Sequence, residues 1–125
     1  LLIQSYNIFG NYFDNLSKQK PITMNLTTSP NPLELGKLAG KEGAALIRAA
    51  IQNQGFANII LATGTSQFET LNQLLAEKDI DWSKVTVFHL DEYLGLPITH
   101  PASFRKYLLE RFFNQLPQLK AYFLI

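Results

Sequence analysis

Apolar and polar positions along this chain fall into blocks whose period changes from helical to strand-like and back. Thr27-Thr28-Ser29-Pro30-Asn31-Pro32 concentrates turn formers, and asparagine followed by proline predicts an N-cap with proline at the first helical position. Over residues 33 to 51, Leu35, Leu38, Ala39, Ala45, Leu46, Ala49 and Ala50 recur at helical spacing, while Lys37, Lys41, Arg48 and Gln52 fall largely elsewhere. This predicts an amphipathic helix packed through a face of small residues and closed by Asn53-Gln54-Gly55. Asn58-Ile59-Ile60-Leu61-Ala62 then has the pattern of a strand buried on both faces, as in a parallel sheet.

After the polar turn Thr63-Gly64-Thr65-Ser66, the spacing of Phe68, Leu71, Leu74 and Leu75 predicts a second helix. Residues 85–90 form a second apolar strand that runs straight into Asp91-Glu92. A loop with Gly95, Pro97 and Pro101 leads to a third helix over residues 103 to 115, with Phe104, Tyr107, Leu108, Phe112 and Leu116 at apolar positions and Pro101 placed to open it. Residues 119–125 have the composition of a third strand and stop without a turn or cap, so the chain reads as cut. Such alternation predicts an α/β fold: a Rossmann-like, doubly wound, mostly parallel sheet with right-handed crossovers, incomplete, the N-terminal half of a larger unit. Ligands are then expected at the carboxyl ends of the strands.

A length of 125 residues fits one domain or part of one. The formal net charge of +1, with no long Lys/Arg run, argues against nucleic acid as a partner. Without cysteine there is no disulfide framework and no thiolate chemistry, which fits a reducing, cytoplasmic setting. The first residues lack the pattern of a signal peptide or membrane anchor, so no membrane partner is expected. Met24 is the only methionine, and regular patterning starts just after it. Residues 1–23 are therefore expected to be an extension, disordered or not native to the fold, and residues 24–125 the α/β domain. Two histidines without metal-ligand spacing suggest no metal, and no cofactor is called for.

Two segments carry candidate chemistry. In Leu61-Ala62-Thr63-Gly64-Thr65-Ser66-Gln67 a strand ends in a small-residue turn and enters a helix. Unpaired N–H groups and the helix dipole favour an anion there, Gly64 permits close approach, and Thr65 and Ser66 add hydroxyl donors. The functional reading is a cradle for a phosphate monoester; the plainer one is that Thr65 or Ser66 caps the helix. In His89-Leu90-Asp91-Glu92-Tyr93-Leu94-Gly95-Leu96-Pro97 two adjacent carboxylates follow a buried strand. A carboxylate in a partly buried crevice can serve as a general base, although an isolated Asp-Glu pair is more often a solvated loop acid or a cap. Position favours function, because both motifs leave the same sheet at the same level. His89 reads as a core histidine with a secondary chance of a site role, and His100 as structural.

Together with His100-Pro101-Ala102-Ser103-Phe104, these two segments resemble the glucosamine-6-phosphate deaminase/isomerase family in order and spacing, over residues 24–125. The resemblance implies opening of the glucosamine 6-phosphate ring, proton movement between C2 and C1, and release of ammonia to give fructose 6-phosphate. It also implies Asp91 as the proton-transferring carboxylate and Gly64, Thr65 and Ser66 as the phosphate loop, with Glu92 among the substrate-binding residues and a small sugar phosphate as partner. The loop here lacks the family's usual proline. The family's second catalytic segment and its later basic residues have no counterpart, so the chain alone is expected to be inactive. One alternative is a truncated half-domain with no function of its own, whose open edge at the Tyr122 strand would be prone to association; a homo-oligomer is a separate expectation. Competing readings are a 6-phosphogluconolactonase-like hydrolase, against which Tyr93 and Gly95-Leu96-Pro97 speak, and a non-catalytic sugar-phosphate-binding domain.

Overall fold

A computed structural model describes residues 2–3 and 26–125. The expected extension, residues 1–23, lies outside the described residues except for Leu2–Ile3, which form strand β1. Helix α1 is Pro32–Gln54, followed by strand β2, Ala57–Leu61, helix α2, Phe68–Ala76, strand β3, Val85–His89, helix α3, Phe104–Arg111, and strand β4, Ala121–Phe123. The sheet order is β1-β2-β3-β4, with β1 antiparallel to β2 and the other pairs parallel. This is an α/β fold of the Rossmann-like kind.

The boundaries of α1 follow its ends. Asn31 has extended backbone and its side chain accepts from the Glu34 N–H at 2.9 Å, with Pro32 opening the helix. At the other end Gly55, at φ 84°, donates its N–H to the Ile51 carbonyl, a left-handed stop suited to glycine. The buried face differs from the expected one. Gly36, Gly40, Gly43, Ala44 and Ile47 are buried, whereas Leu33, Leu35, Leu38 and Leu46 are about half exposed. Close approach of α2 is the reason. A Cβ on Gly40 would lie 2.6 Å from the Gln73 Cβ, so the inward stripe must be made of the smallest residues, and the leucines flank it.

Both strands alternate in burial instead of being covered on both faces. Ala57, Ile59, Leu61, Val85, Val87 and His89 point into the core, while Asn58 and Phe88 are exposed. Among the described residues the helices contribute to one core on one face: Ile47 from α1, Leu71 and Leu74 from α2, and Leu108 from α3, with Trp82, Phe112, Phe113 and Leu116. β2, β3 and β4 are adjacent in order and parallel, and α2 and α3 between them both pack into that one core. Burial of an aliphatic side chain such as Ile59 or Leu74, both fully buried, stabilises by roughly 1.5–3 kcal/mol.

The third helix is shorter than its apolar spacing predicts. Its N-cap is Ser103, and Arg111 is the last α-helical residue before a single 3-10 turn at Phe113–Gln115. Pro101 therefore sits two residues before the cap and does not open the helix. That turn lets Phe112 and Phe113 both enter the core, where they meet edge to face at 5.8 Å and Phe113 stacks on Tyr122 of β4 at 4.2 Å.

Candidate active site

The parallel register of β2 and β3 sets the level of the site. Leu61 is opposite His89, and the Leu90 N–H donates to the Leu61 carbonyl at 3.1 Å. Both strands thus end side by side, and residues 62–66 and 90–92 emerge from one end of the sheet. This is where a parallel α/β sheet presents its ligand crevice.

Gly64 turns the first loop with φ 108°, a backbone conformation that side chains strain, and no atom lies within 4 Å of where its Cβ would be. The requirement is conformational, and the space above the glycine is open. Thr65–Gln67 form a 3-10 turn leading into α2, and no side chain caps either helix start. The hydroxyls of Thr65 and Ser66 are exposed and do not serve as caps. Neither hydroxyl caps a helix, so the plainer reading is removed, while the Gln67 N–H is used within the turn, donating to the Gly64 carbonyl at 3.1 Å.

Asp91 follows β3 and is exposed. The Glu92 side chain is only 5% exposed and is surrounded by donors from its own chain. One oxygen accepts from the Tyr93 N–H at 3.0 Å and the Phe104 N–H at 3.2 Å. The other accepts from the Ser103 hydroxyl at 2.8 Å, the Arg105 N–H at 3.0 Å and the Arg105 Nε at 3.1 Å. Burial alone would raise the Glu92 pKa, but the N–H groups of Arg105 and Tyr93, the Ser103 hydroxyl and the Phe104 N–H overcome it and hold it at about 2. The expected substrate contact of Glu92 thus meets a carboxylate already committed to the N-terminus of α3.

Arg105 ties the loop a second time by donating from its guanidinium to the Leu96 carbonyl. His100 accepts the Ala102 N–H on Nδ1 at 3.1 Å, in a run of turns that also joins the His100 N–H to Pro97 and the Ser103 N–H to His100. Its expected structural role matches this geometry. Tyr107, expected only as an apolar position, donates its hydroxyl to the Gly64 carbonyl at 3.2 Å while its ring stacks on Phe68 at 5.6 Å. Ser103, Arg105 and Tyr107 are site-bordering residues that sequence reasoning missed. Ser103 alone carried a signal, as a serine at a helix start.

His89 lies on the core face, 4% exposed, and neither ring nitrogen has a hydrogen-bond partner among the described residues. Burial lowers its pKa below 6.5, against the opposing pull of the Glu92 and Asp91 carboxylates, so the neutral ring is favoured. The Thr63 hydroxyl is likewise buried without a partner. A cavity of about 510 Å³ opens beside Tyr93, Leu96, Pro97, Ile98 and Arg105, and one of about 490 Å³ lies between Asn31, Leu35, Ser66 and Thr70; Asp91 borders neither. Among the described residues no group of three or more His, Asp or Glu side chains could hold a metal ion, and no helix is long and apolar enough to cross a membrane.

Comparison with known proteins bears on the family and the fold. The family model described as glucosamine-6-phosphate isomerases/6-phosphogluconolactonase matches residues 30–124. Glucosamine-6-phosphate deaminase 2 of Bacillus subtilis (strain 168) is 39% identical over 79 residues, 61% of this chain and 32% of that protein. The glucosamine-6-phosphate deaminase of Streptococcus sanguinis (strain SK36) is 38% identical over 101 residues, 81% of this chain and 40% of its own length. The chain thus spans two fifths or less of these relatives. Among solved structures, a monomeric glucosamine-6-phosphate deaminase superposes with a TM-score of 0.65 at 26% identity, over 80% of this chain and 42% of that one. A 6-phosphogluconolactonase from Shewanella baltica OS155 gives a TM-score of 0.63 at 25% identity, over 73% and 39%.

Proposed function

The chain belongs to the glucosamine-6-phosphate isomerase/6-phosphogluconolactonase family, and from that premise we propose that it supplies one half of a sugar-phosphate site of the deaminase kind. In this reading the substrate is glucosamine 6-phosphate, the reaction is aldose–ketose isomerisation with loss of ammonia, and the product is fructose 6-phosphate. Gly64, Thr65 and Ser66 receive the phosphate, and Asp91 moves the proton between C2 and C1. The observation that carries the reading is the Leu90-to-Leu61 hydrogen bond, which brings the two loops to one level of the sheet. An anion cradle and a carboxylate at adjacent strand ends suit a substrate with a phosphate at one end and an acidic C–H at the other.

Asp91 is exposed in this chain, and the chain covers two fifths or less of its deaminase relatives, so in this reading it holds the ester while the remaining length of the family completes turnover. The deaminase reading is favoured over the lactonase one by Tyr93 and Gly95-Leu96-Pro97 and by deaminase relatives approaching 40% identity.

Titration of glucosamine 6-phosphate into the labelled chain should shift the amides of Gly64, Thr65, Ser66 and Asp91. Absence of any shift at millimolar ester would reject the site. In a family-length protein carrying this segment, Asp91→Asn should slow ammonia release by roughly 10²–10⁴-fold, the usual contribution of a positioned acid or base. Unimpaired release would remove Asp91 from the base role. Hydrolysis of 6-phosphogluconolactone without ammonia release would move the assignment to the lactonase branch.

A further inference from the structure

We infer that Glu92 and Tyr107 are positioning residues which fasten the Asp91 loop and the Gly64 loop to one rigid element, helix α3. The inference rests on reading these two loops as one crevice. Glu92 sits next to Asp91 and takes four hydrogen bonds from the first residues of α3 and its cap: the Ser103 hydroxyl, the N–H groups of Phe104 and Arg105, and the Arg105 Nε. One turn further along the same helix, Tyr107 donates to the Gly64 carbonyl at 3.2 Å. That carbonyl also accepts the Gln67 N–H at 3.1 Å, so the hydroxyl bonds the very turn that the proposed function assigns to the phosphate.

Neither loop is held rigidly by its own sequence. Residues 90–97 form no regular secondary structure, and Gly64 has no contact where a side chain would be. The Glu92 carboxylate replaces the missing intrahelical partners of the α3 N-terminus with a full negative charge, a favourable place for an anion. Arg105 then closes the clamp by donating to the Leu96 carbonyl on the far side of the loop. The stack of Phe68 on Tyr107, covered by the Arg111 guanidinium at 4.1 Å from the Phe68 ring, braces the other attachment. Because α3 is anchored by the fully buried Leu108 and Phe112, the distance between Asp91 and Gly64 is set by a packed helix.

The role also accounts for the spacing between two sequence segments. Glu92 and Ser103 are joined by a hydrogen bond across eleven positions, so a carboxylate after β3 and a serine at the start of α3 are two ends of one contact. Glu92 stabilises the loop through α3 and leaves Asp91 free to face outward.

The test uses the whole 125-residue chain with Tyr107→Phe, Glu92→Gln and, as a control, Ile51→Ala, which trims a partly buried isoleucine packed against the core from α1, a helix that carries neither tie. Hydrogen exchange is read at Gln67, whose N–H shares the Gly64 carbonyl, and at Arg105 and Leu96. Tyr107→Phe should speed Gln67 exchange roughly fivefold and Glu92→Gln should do so at Arg105 and Leu96, the change expected for one lost hydrogen bond. The control should accelerate exchange evenly. Affinity for glucosamine 6-phosphate should fall several-fold in both test variants and hold in the control, a difference that general loss of stability would not produce. Wild-type exchange at Gln67 in Tyr107→Phe and at Leu96 in Glu92→Gln overturns the inference, as does ester affinity equal to that of the control at matched stability. Should the wild-type chain bind no ester, the reading of the crevice fails while the exchange arm still decides whether the two ties exist.

Discussion

Replacing Gly36 by alanine sets two opposing effects against each other at one position. In an unhindered helix interior alanine is better than glycine by about 0.5–1 kcal/mol, because glycine loses more backbone entropy on folding. At Gly36 the added Cβ would overlap the Glu69 Cβ and lie 2.7 Å from the Glu69 carbonyl carbon and 3.0 Å from its Cα. Carbon atoms rest about 3.5–4.0 Å apart, and these neighbours belong to the backbone of α2 and its first side-chain atom, so no rotamer change relieves them. Helix α2 must move outward, and Leu71 and Leu74 move with it out of the core. Overpacking of this kind costs about 1–3 kcal/mol; taking the upper end and subtracting the propensity gain leaves a net loss of about 2 kcal/mol. Urea unfolding followed by circular dichroism should show the midpoint falling by roughly 1 M, given an m-value of about 1–3 kcal/mol/M for a small domain. Ala45→Gly, at an exposed position of α1, is the control and should lose about 1 kcal/mol through propensity alone. Gly40→Ala should follow Gly36→Ala, since its Cβ would lie 2.6 Å from the Gln73 Cβ and 2.9 Å from the Thr70 carbonyl oxygen. The double variant should cost less than the sum, because one displacement of α2 relieves both contacts. A Gly36→Ala midpoint equal to or above wild type would refute close α1–α2 packing as the reason for the glycine stripe.

Acidification should destabilise the chain in two stages. His89 is held below its ordinary 6.5 by burial, so the unfolded state binds the proton first and stability declines as pH falls beneath that value. Glu92 is held at about 2 against an ordinary 4.5, so its contribution is complete above 4.5 and is lost as pH falls toward 2. Melting temperature followed against pH should show both declines, and Glu92→Gln should flatten the second while deepening the first, because it removes a carboxylate that favours the charged His89 ring. Asn31→Ala removes the acceptor for the Glu34 N–H at the start of α1 and should cost about 1 kcal/mol in thermal or urea unfolding, with Asn31→Ser close to wild type.

Much of the architecture was legible because it depends on local pattern. Asn31 before Pro32 marks the first residue of α1, and Gly55 marks its end, since each supplies a hydrogen bond or a backbone conformation that its neighbours cannot. The strands at Ala57–Leu61 and Val85–His89 fall within a residue of their apolar runs. What failed was the assignment of faces. Leu35, Leu38 and Leu46 have the right period for a core, yet the inward side of α1 is set by how near α2 comes, and that distance is a property of two helices together. The strands likewise read as covered on both faces because β-branched residues occupy both, whereas Phe88 is 38% exposed and stacks on Phe123 at 5.2 Å across the uncovered side.

The placement of the two candidate loops was legible to the same degree and for the same reason. Position after a buried strand located Asp91 and Gly64, because the end of a strand can be read from a single segment. Roles that depend on a second segment could not be read that way: an acidic pair looks alike whether its second member meets a substrate or a helix end eleven residues on. Glu92 is resolved only when α3 folds back over the strand ends and presents Ser103, Phe104 and Arg105 to it. Tyr107 is the converse case, an apolar-looking helix position whose hydroxyl reaches forty-three residues back to the Gly64 turn. A tyrosine kept for packing would be replaceable by phenylalanine without consequence, since the stack on Phe68 needs only the ring. The hydroxyl matters only if the Gly64 loop must be held in place. Tyr107→Phe is for that reason the substitution that separates a helix packed for stability from one packed to hold two loops at a fixed distance.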